Sequence, residues 1–173
     1  IYFGEKLVAS IGSEFIENNG EDRKRQEGMN AEEIKQDCET KAFFRLAERI
    51  KKRFPRLPIL LLADSLYASK QVMELCREYK WEFLIRYKKG SIPSIAEEYE
   101  KIPEKGKTEK AEFVNEIDYE GKPVHVLRYR EEKEGEITEF QWLCSIKISK
   151  ENAEKMAEAG RKRGKKENEG FNR

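Results

Sequence analysis

Residues 57–63 are apolar throughout, broken only by the ring of Pro58, and Asp64 follows at once. A run without polar alternation suits a central buried strand covered by helices on both faces. Ser69 then stands where it can cap a helix whose Val72, Met73, Cys76 and Tyr79 share one side. A second apolar run, 83–87, is closed by Lys88-Lys89-Gly90. Strand, helix, strand at this spacing is a βαβ unit, so the two strands must be parallel. That unit commits the chain to an α/β architecture.

The flanking segments fill in the rest. Residues 1–16 read as a β-hairpin, with Leu7, Ala9 and Ile11 alternating, and 17–30 read as a polar loop. Asn30 and Glu33 form a capping-box pattern. A helix should follow to about Arg53, with Phe43, Leu46, Ala47 and Ile50 at helical spacing and Pro55 ending it. A short helix is expected around 93–99, and 101–110 read as a Lys/Glu-rich loop. Segments 113–119, 124–130 and 137–148 predict a β-meander, with turns marked by Glu120-Gly121 and Gly135. Ser149 is placed to cap a last helix carrying Ala153, Met156 and Ala157, with Gly160 at its exit.

Composition narrows the chemistry. The 173 residues suit one domain of ordinary size, and charged residues make up 40%, against ~25% in average soluble domains. The longest strongly apolar run, 59–63, is far short of the ~20 residues of a spanning helix, so no membrane is expected, and no secretory leader is seen. Three scattered cysteines and a single histidine argue for a reducing compartment and against a Cys/His zinc site. With 35 Lys+Arg against 34 Asp+Glu the net charge is +1, so any basic surface must be local. No Walker loop or dinucleotide glycine pattern supports ATP, GTP or NAD. The missing initiator Met and the uncapped C-terminus read as the ends of an internal piece of a longer protein.

Three places carry candidate chemistry. Asp64 sits at the C-terminal end of the first parallel strand, the edge where open α/β sheets bind ligands; the competing reading is a simple helix cap. Glu167 lies four residues after Arg163 in a basic stretch, a pairing that suits metal and phosphate together, although on these residues alone an ordinary solvated ion pair is the preferred reading. The Lys88-Lys89-Gly90-Ser91 loop offers cations and amides to a phosphate, or is plain solvated loop. Cys38 reads as a buried helix cysteine, since no base accompanies it. His125 reads as a surface or half-buried strand residue, and Trp81 and Trp142 as packing.

These residues resemble the DDE-type transposases of bacterial insertion sequences. Three blocks carry the likeness: Glu14-Phe15-Ile16-Glu17-Asn18 with Lys35-Gln36-Asp37-Cys38-Glu39-Thr40-Lys41-Ala42; residues 57–68; and Gly160-Arg161-Lys162-Arg163 with Glu167-Asn168-Glu169-Gly170-Phe171-Asn172. The resemblance implies an RNase H-like mixed sheet flanked by helices. It divides the chain into a catalytic core, 1–100, a β-rich insertion, 101–148, and a C-terminal helical part of the core, 149–173. Asp64 then matches the second catalytic aspartate and Glu167 the catalytic glutamate, both ligands of Mg2+ or Mn2+. Arg163 matches the arginine of the Tyr, two residues, Arg, three residues, Glu, six residues, Lys signature. Arg161, Lys165, Lys88 and Lys89 are expected to grip phosphates of double-stranded transposon ends and target. A homodimer on paired ends and a bacterial, nucleoid-associated cytoplasmic location are implied as well.

The chain departs from this pattern in named places. The first catalytic aspartate is expected upstream of Ile1. Gly160 occupies the place of the signature tyrosine, and Gly164 and Lys166 replace an aromatic and an aliphatic anchor. Glycine within a helix costs ~1 kcal/mol against alanine, and loss of a large buried anchor adds ~3–5 kcal/mol. Two functions therefore compete: a metal-dependent transposase core, and a decayed remnant that binds DNA without cutting it. A third, weaker candidate is an RNase H-like nuclease unrelated to transposition.

Overall fold

The computed structural model describes residues 2–3, 7–8, 12–16, 27–88, 90–133 and 135–170, and the side chains among these from 12 to 162. The chain packs as two compact units, Ile1–Leu57 and Pro58–Arg173.

In the first unit, β1 (Tyr2–Phe3) and β2 (Leu7–Val8) pair antiparallel. Of the hairpin expected over 1–16, the described residues show Tyr2–Phe3 paired with Leu7–Val8, and 12–16 are not strand. Residues 9–11 and 17–26 lie outside the described residues. Helix α1 (Ala31–Arg53) starts at the expected box. The Asn30 side chain accepts the N–H groups of Glu32 and Glu33, both at 3.0 Å, and the Glu33 carboxylate accepts the Asn30 N–H at 2.7 Å. Asn30→Ala is expected to destabilise this unit by ~1 kcal/mol, read as a lower thermal midpoint by circular dichroism. Glu14 ties 12–16 to the same helix through Arg49 at 2.7 Å and Arg45 at 3.4 Å. The hydrogen bond from Arg49 leads in holding its carboxyl below the usual range.

The second unit is built on a six-stranded sheet in the order β3 (Leu60–Ala63), β4 (Glu82–Arg86), β8 (Glu136–Cys144), β7 (Lys122–Lys133), β6 (Ala111–Tyr119), β5 (Gly106–Lys107). β3 and β4 are parallel, as the βαβ argument requires, with Ala63 opposite Ile85. The crossover is helix α2 (Lys70–Tyr79), capped by Ser69, whose hydroxyl accepts the Val72 N–H. Its Val72, Met73 and Cys76 are all 0% exposed, and burying each such side chain contributes ~1.5–3 kcal/mol. Helix α3 (Pro93–Lys101) follows with proline in its first turn. The meander is present, and β8 joins it to β4 antiparallel, with Arg86 opposite Trp142. Its first hairpin turns on Glu120 and Gly121, both with positive φ (55° and 72°), the geometry that matches strand twist in two-residue loops.

Helix α4 (Ala153–Gly170) covers one face of this sheet. Ala153, Met156 and Ala157 pack there with Leu84, Phe113, Leu127, Trp142 and Cys144. On the other face α3 sets the ring of Tyr99 against Arg128, 4.7 Å from the guanidinium.

Five expectations need correction. The strand expected as central, 57–63, is shorter and, among the described residues, lies at the end of the sheet, with Leu60 40% exposed. The meander has taken the second side of β4, so the sheet grows away from β3, and Pro58 has no N–H to donate to a ladder. Residues 101–110 are not wholly loop, since β5 pairs with β6. Gly160 is not an exit, because α4 continues to Gly170. The last helix begins one turn after Ser149, whose carbonyl accepts the Ala153 N–H. His125 is buried, only 6% exposed, because its neighbours Cys144 and Leu84 belong to the covered face.

Candidate active site

A parallel strand pair exposes its C-terminal ends to one edge, and Asp64 follows β3 there. Its Oδ1 accepts the Leu66 N–H at 3.0 Å, capping the 3-10 turn Ser65–Tyr67. The capping role is therefore real, and it also fixes the carboxylate on a short rigid turn. Strand alternation puts Asp64 on the face of Leu62. That face is the one covered by α4, since Leu62 packs against the same cluster as Ala153 and Ala157.

The course of α4 follows from its contacts. Gly160 lies on Trp142, which pairs with Arg86, the last residue of β4. One residue on, Arg161 reaches Glu131 at 2.5 Å, beyond the level at which β4 ends. The helix thus advances toward the end of the sheet where Asp64 sits. At a rise of 1.5 Å per residue, position 167 lies ~10 Å further along the axis than position 160. The side chains of Arg163, Lys165 and Glu167 lie outside the described residues, so the structure joins Asp64 to this helix by face and by edge only.

The other expected DNA contacts are placed as follows. Arg161 is committed inward, to Glu131 and over the Phe140 ring at 5.3 Å. Lys88 is exposed on the turn after β4, where its carbonyl accepts the Ser91 N–H and hydroxyl. Lys89 lies outside the described residues. Arg86, which sequence reasoning passed over, closes β4 and donates to the Glu139 carbonyl at 3.4 Å. Its guanidinium lies 4.6 Å from the Phe140 ring centre and 5.4 Å from that of Trp142. Burial lowers its pKa, and among the described residues no carboxylate pairs with it. The signal available was a cation directly after the apolar run Phe83-Leu84-Ile85, at the edge where Asp64 closes the neighbouring strand.

The cysteines offer no nucleophile. Burial pushes the Cys76 thiol up to about 12 and raises that of Cys144 as well. Cys38 is 3% exposed inside α1, as expected for packing.

A mixed sheet flanked by helices, with a carboxylate at the end of a parallel strand and a late helix directed to the same edge, is the arrangement the resemblance implies. No curated protein and no solved structure matches the chain. The family model described as the transposase DDE domain matches residues 36–169, well over half of the sequence. The RNase H-like fold class is the one that family carries, and the chain belongs to the DDE-domain transposases.

Proposed function

We propose that this chain supplies two carboxylates, Asp64 and Glu167, to metal-dependent cleavage and transfer of DNA strands at transposon ends. The observation that supports this most directly is Asp64 at the C-terminal edge of β3, on the face that α4 crosses. A third carboxylate is expected on a strand upstream of residue 1.

Carboxylate oxygens fit a hard cation such as Mg2+ or Mn2+. Among the described residues no group of three His, Cys, Asp or Glu side chains is close enough to hold one. Asp64 is assigned here as one ligand and Glu167, whose side chain lies outside the described residues, as another. When bound, such a cation activates a hydroxyl and stabilises the leaving oxygen in an in-line phosphoryl displacement. The protein's own share is placement. The cap to Leu66 keeps Asp64 from rotating, α4 brings its basic turns to the same edge, and Arg86 and Lys88 neutralise phosphates without reading sequence. Double-stranded transposon ends and target DNA are the partners this chemistry requires, held by a homodimer that pairs the two ends.

One observation favours a second reading. Any side chain at Gly160 would place its Cβ 2.6 Å from the Trp142 ring, so the signature tyrosine has no room here. A remnant that only binds DNA would tolerate that loss. The two separate on DNA carrying inverted-repeat ends, assayed with Mg2+ or Mn2+ in the full-length protein. Metal-dependent nicking at the ends supports the proposal. Binding that weakens steeply with salt, without nicking, identifies the remnant. Equal cutting of unrelated DNA or RNA points to another nuclease.

A further inference from the structure

The first half of β6 pairs regularly with β7 as far as Val114, and the register shifts before it resumes at Ile117. The shift is a β-bulge at Asn115 and Glu116. Glu116 adopts φ 63°, a left-handed conformation that a side chain of this length rarely takes. Bulges of this kind re-aim side chains, and local strain persists only where the surroundings hold it.

Three contacts hold this one. The Asn115 amide donates to the Ile148 carbonyl at 2.8 Å and its Oδ1 accepts the Ile148 N–H at 2.8 Å, so a side chain pairs with main chain as a strand would. The Glu116 N–H donates to Nδ1 of buried His125 at 3.1 Å. The Glu116 carboxylate pairs with Lys147 at 3.0 Å. The Asn115 and Lys147 contacts grip residues 147–148, one turn before α4 begins, and the His125 contact anchors the bulge itself to the neighbouring strand β7.

We infer that the Asn115–Glu116 bulge is a positioning latch that fixes the start of α4, with His125 as its proton-sensitive catch. The function of this latch rests on the reading that α4 carries a catalytic carboxylate. Nδ1 can accept the Glu116 N–H only while the imidazole is neutral. Around His125 stand the carboxylates of Glu116 and Glu82, the ammonium of Lys147, the Ser145 main chain and the Cys144 thiol, which donates to the His125 carbonyl. Burial, the largest influence, lowers the His125 pKa against the opposing pull of Glu116. Because the folded pKa lies below the unfolded value of ~6.5, the latch is fully engaged above that pH. It weakens as pH falls through ~6.5 toward the folded pKa.

Amide hydrogen exchange on the full chain tests this, with rates corrected for intrinsic exchange. At about pH 5.5, amides of 149–157 are expected to exchange faster than at about pH 8, by a factor of up to about ten, the most that one pH unit below ~6.5 allows, while those of α2 hold steady. Asn115→Ala gives the fast exchange at both pH values, and His125→Gln, a neutral acceptor at either pH, removes the difference. If Asn115→Ala fails to fold by circular dichroism, Asn115→Asp replaces it, which keeps the acceptor for the Ile148 N–H but turns the donor into a charged oxygen facing the Ile148 carbonyl. Protection that is equal at both pH values, or unchanged in the folded Asn115 variant, overturns the latch. In the full-length protein the latch variant should also lose metal-dependent cleavage, restored by neither excess Mn2+ nor DNA; cleavage at the parental rate overturns the positioning role. Failure of the functional reading shows separately, as normal cleavage when Asp64 is substituted.

Discussion

Asp64→Asn in the full-length protein is expected to lower metal-dependent strand cleavage by about 10³-fold or more while leaving the fold untouched. Asparagine keeps an Oδ1 that can accept the Leu66 N–H, now at 3.0 Å, so the 3-10 turn survives. What it removes is the anionic oxygen that a hard cation needs. Asp64→Ala removes both, and should lose ~1 kcal/mol of stability in addition to activity. Comparing the two variants by thermal melting and by nicking of end-bearing DNA separates the cap from the chemistry. Chelation of the metal should silence the parent protein to the level of Asp64→Asn. Cleavage by Asp64→Asn at the parental rate would refute the assignment of this residue.

The second large effect concerns Gly160 and Trp142. Gly160→Tyr, which introduces the residue of the family signature, is expected to destabilise the second unit by ~3 kcal/mol or more, since overpacking a tight contact costs ~1–3 kcal/mol before the ring itself finds space. The Cβ alone would meet Trp142 ring atoms at 2.6 Å, and the indole is 2% exposed and cannot step aside into solvent. Trp142→Ala empties the same space and should cost ~3–5 kcal/mol. The two changes share one volume, so the double variant should be less destabilised than their sum by ~1–3 kcal/mol. Chemical denaturation of the four proteins measures this coupling, and strict additivity would show that Trp142 is not what excludes a side chain at 160.

These contacts show what could and could not be read in advance. The capping box at Asn30, the Ser69 cap and the parallel pair 60–63 with 82–86 are local in origin, and each followed from residue types a few positions apart. The place of Asp64 at the strand end and its capping role were legible because a carboxylate directly after an apolar strand is a local pattern. Arg86 was not, because its meaning depends on Phe140 and Trp142, more than fifty residues away. The bulge at Glu116 carries no sequence mark, since glutamate is not a residue that signals positive φ. His125 looked half-exposed while alternation alone was considered, and became buried once α4 covered its face.

By itself the sequence determined the kind of elements, their order and the parallel sense of one strand pair, because periodicity, caps and crossover length act within a few turns of chain. Only the tertiary structure decided that β3 is the last strand of the sheet among the described residues, that β8 docks on β4, and that α4 runs past a helix-interior Gly160 toward the edge holding Asp64. Those outcomes depend on which distant surfaces bury one another, and burial is a property of pairs that no single segment encodes.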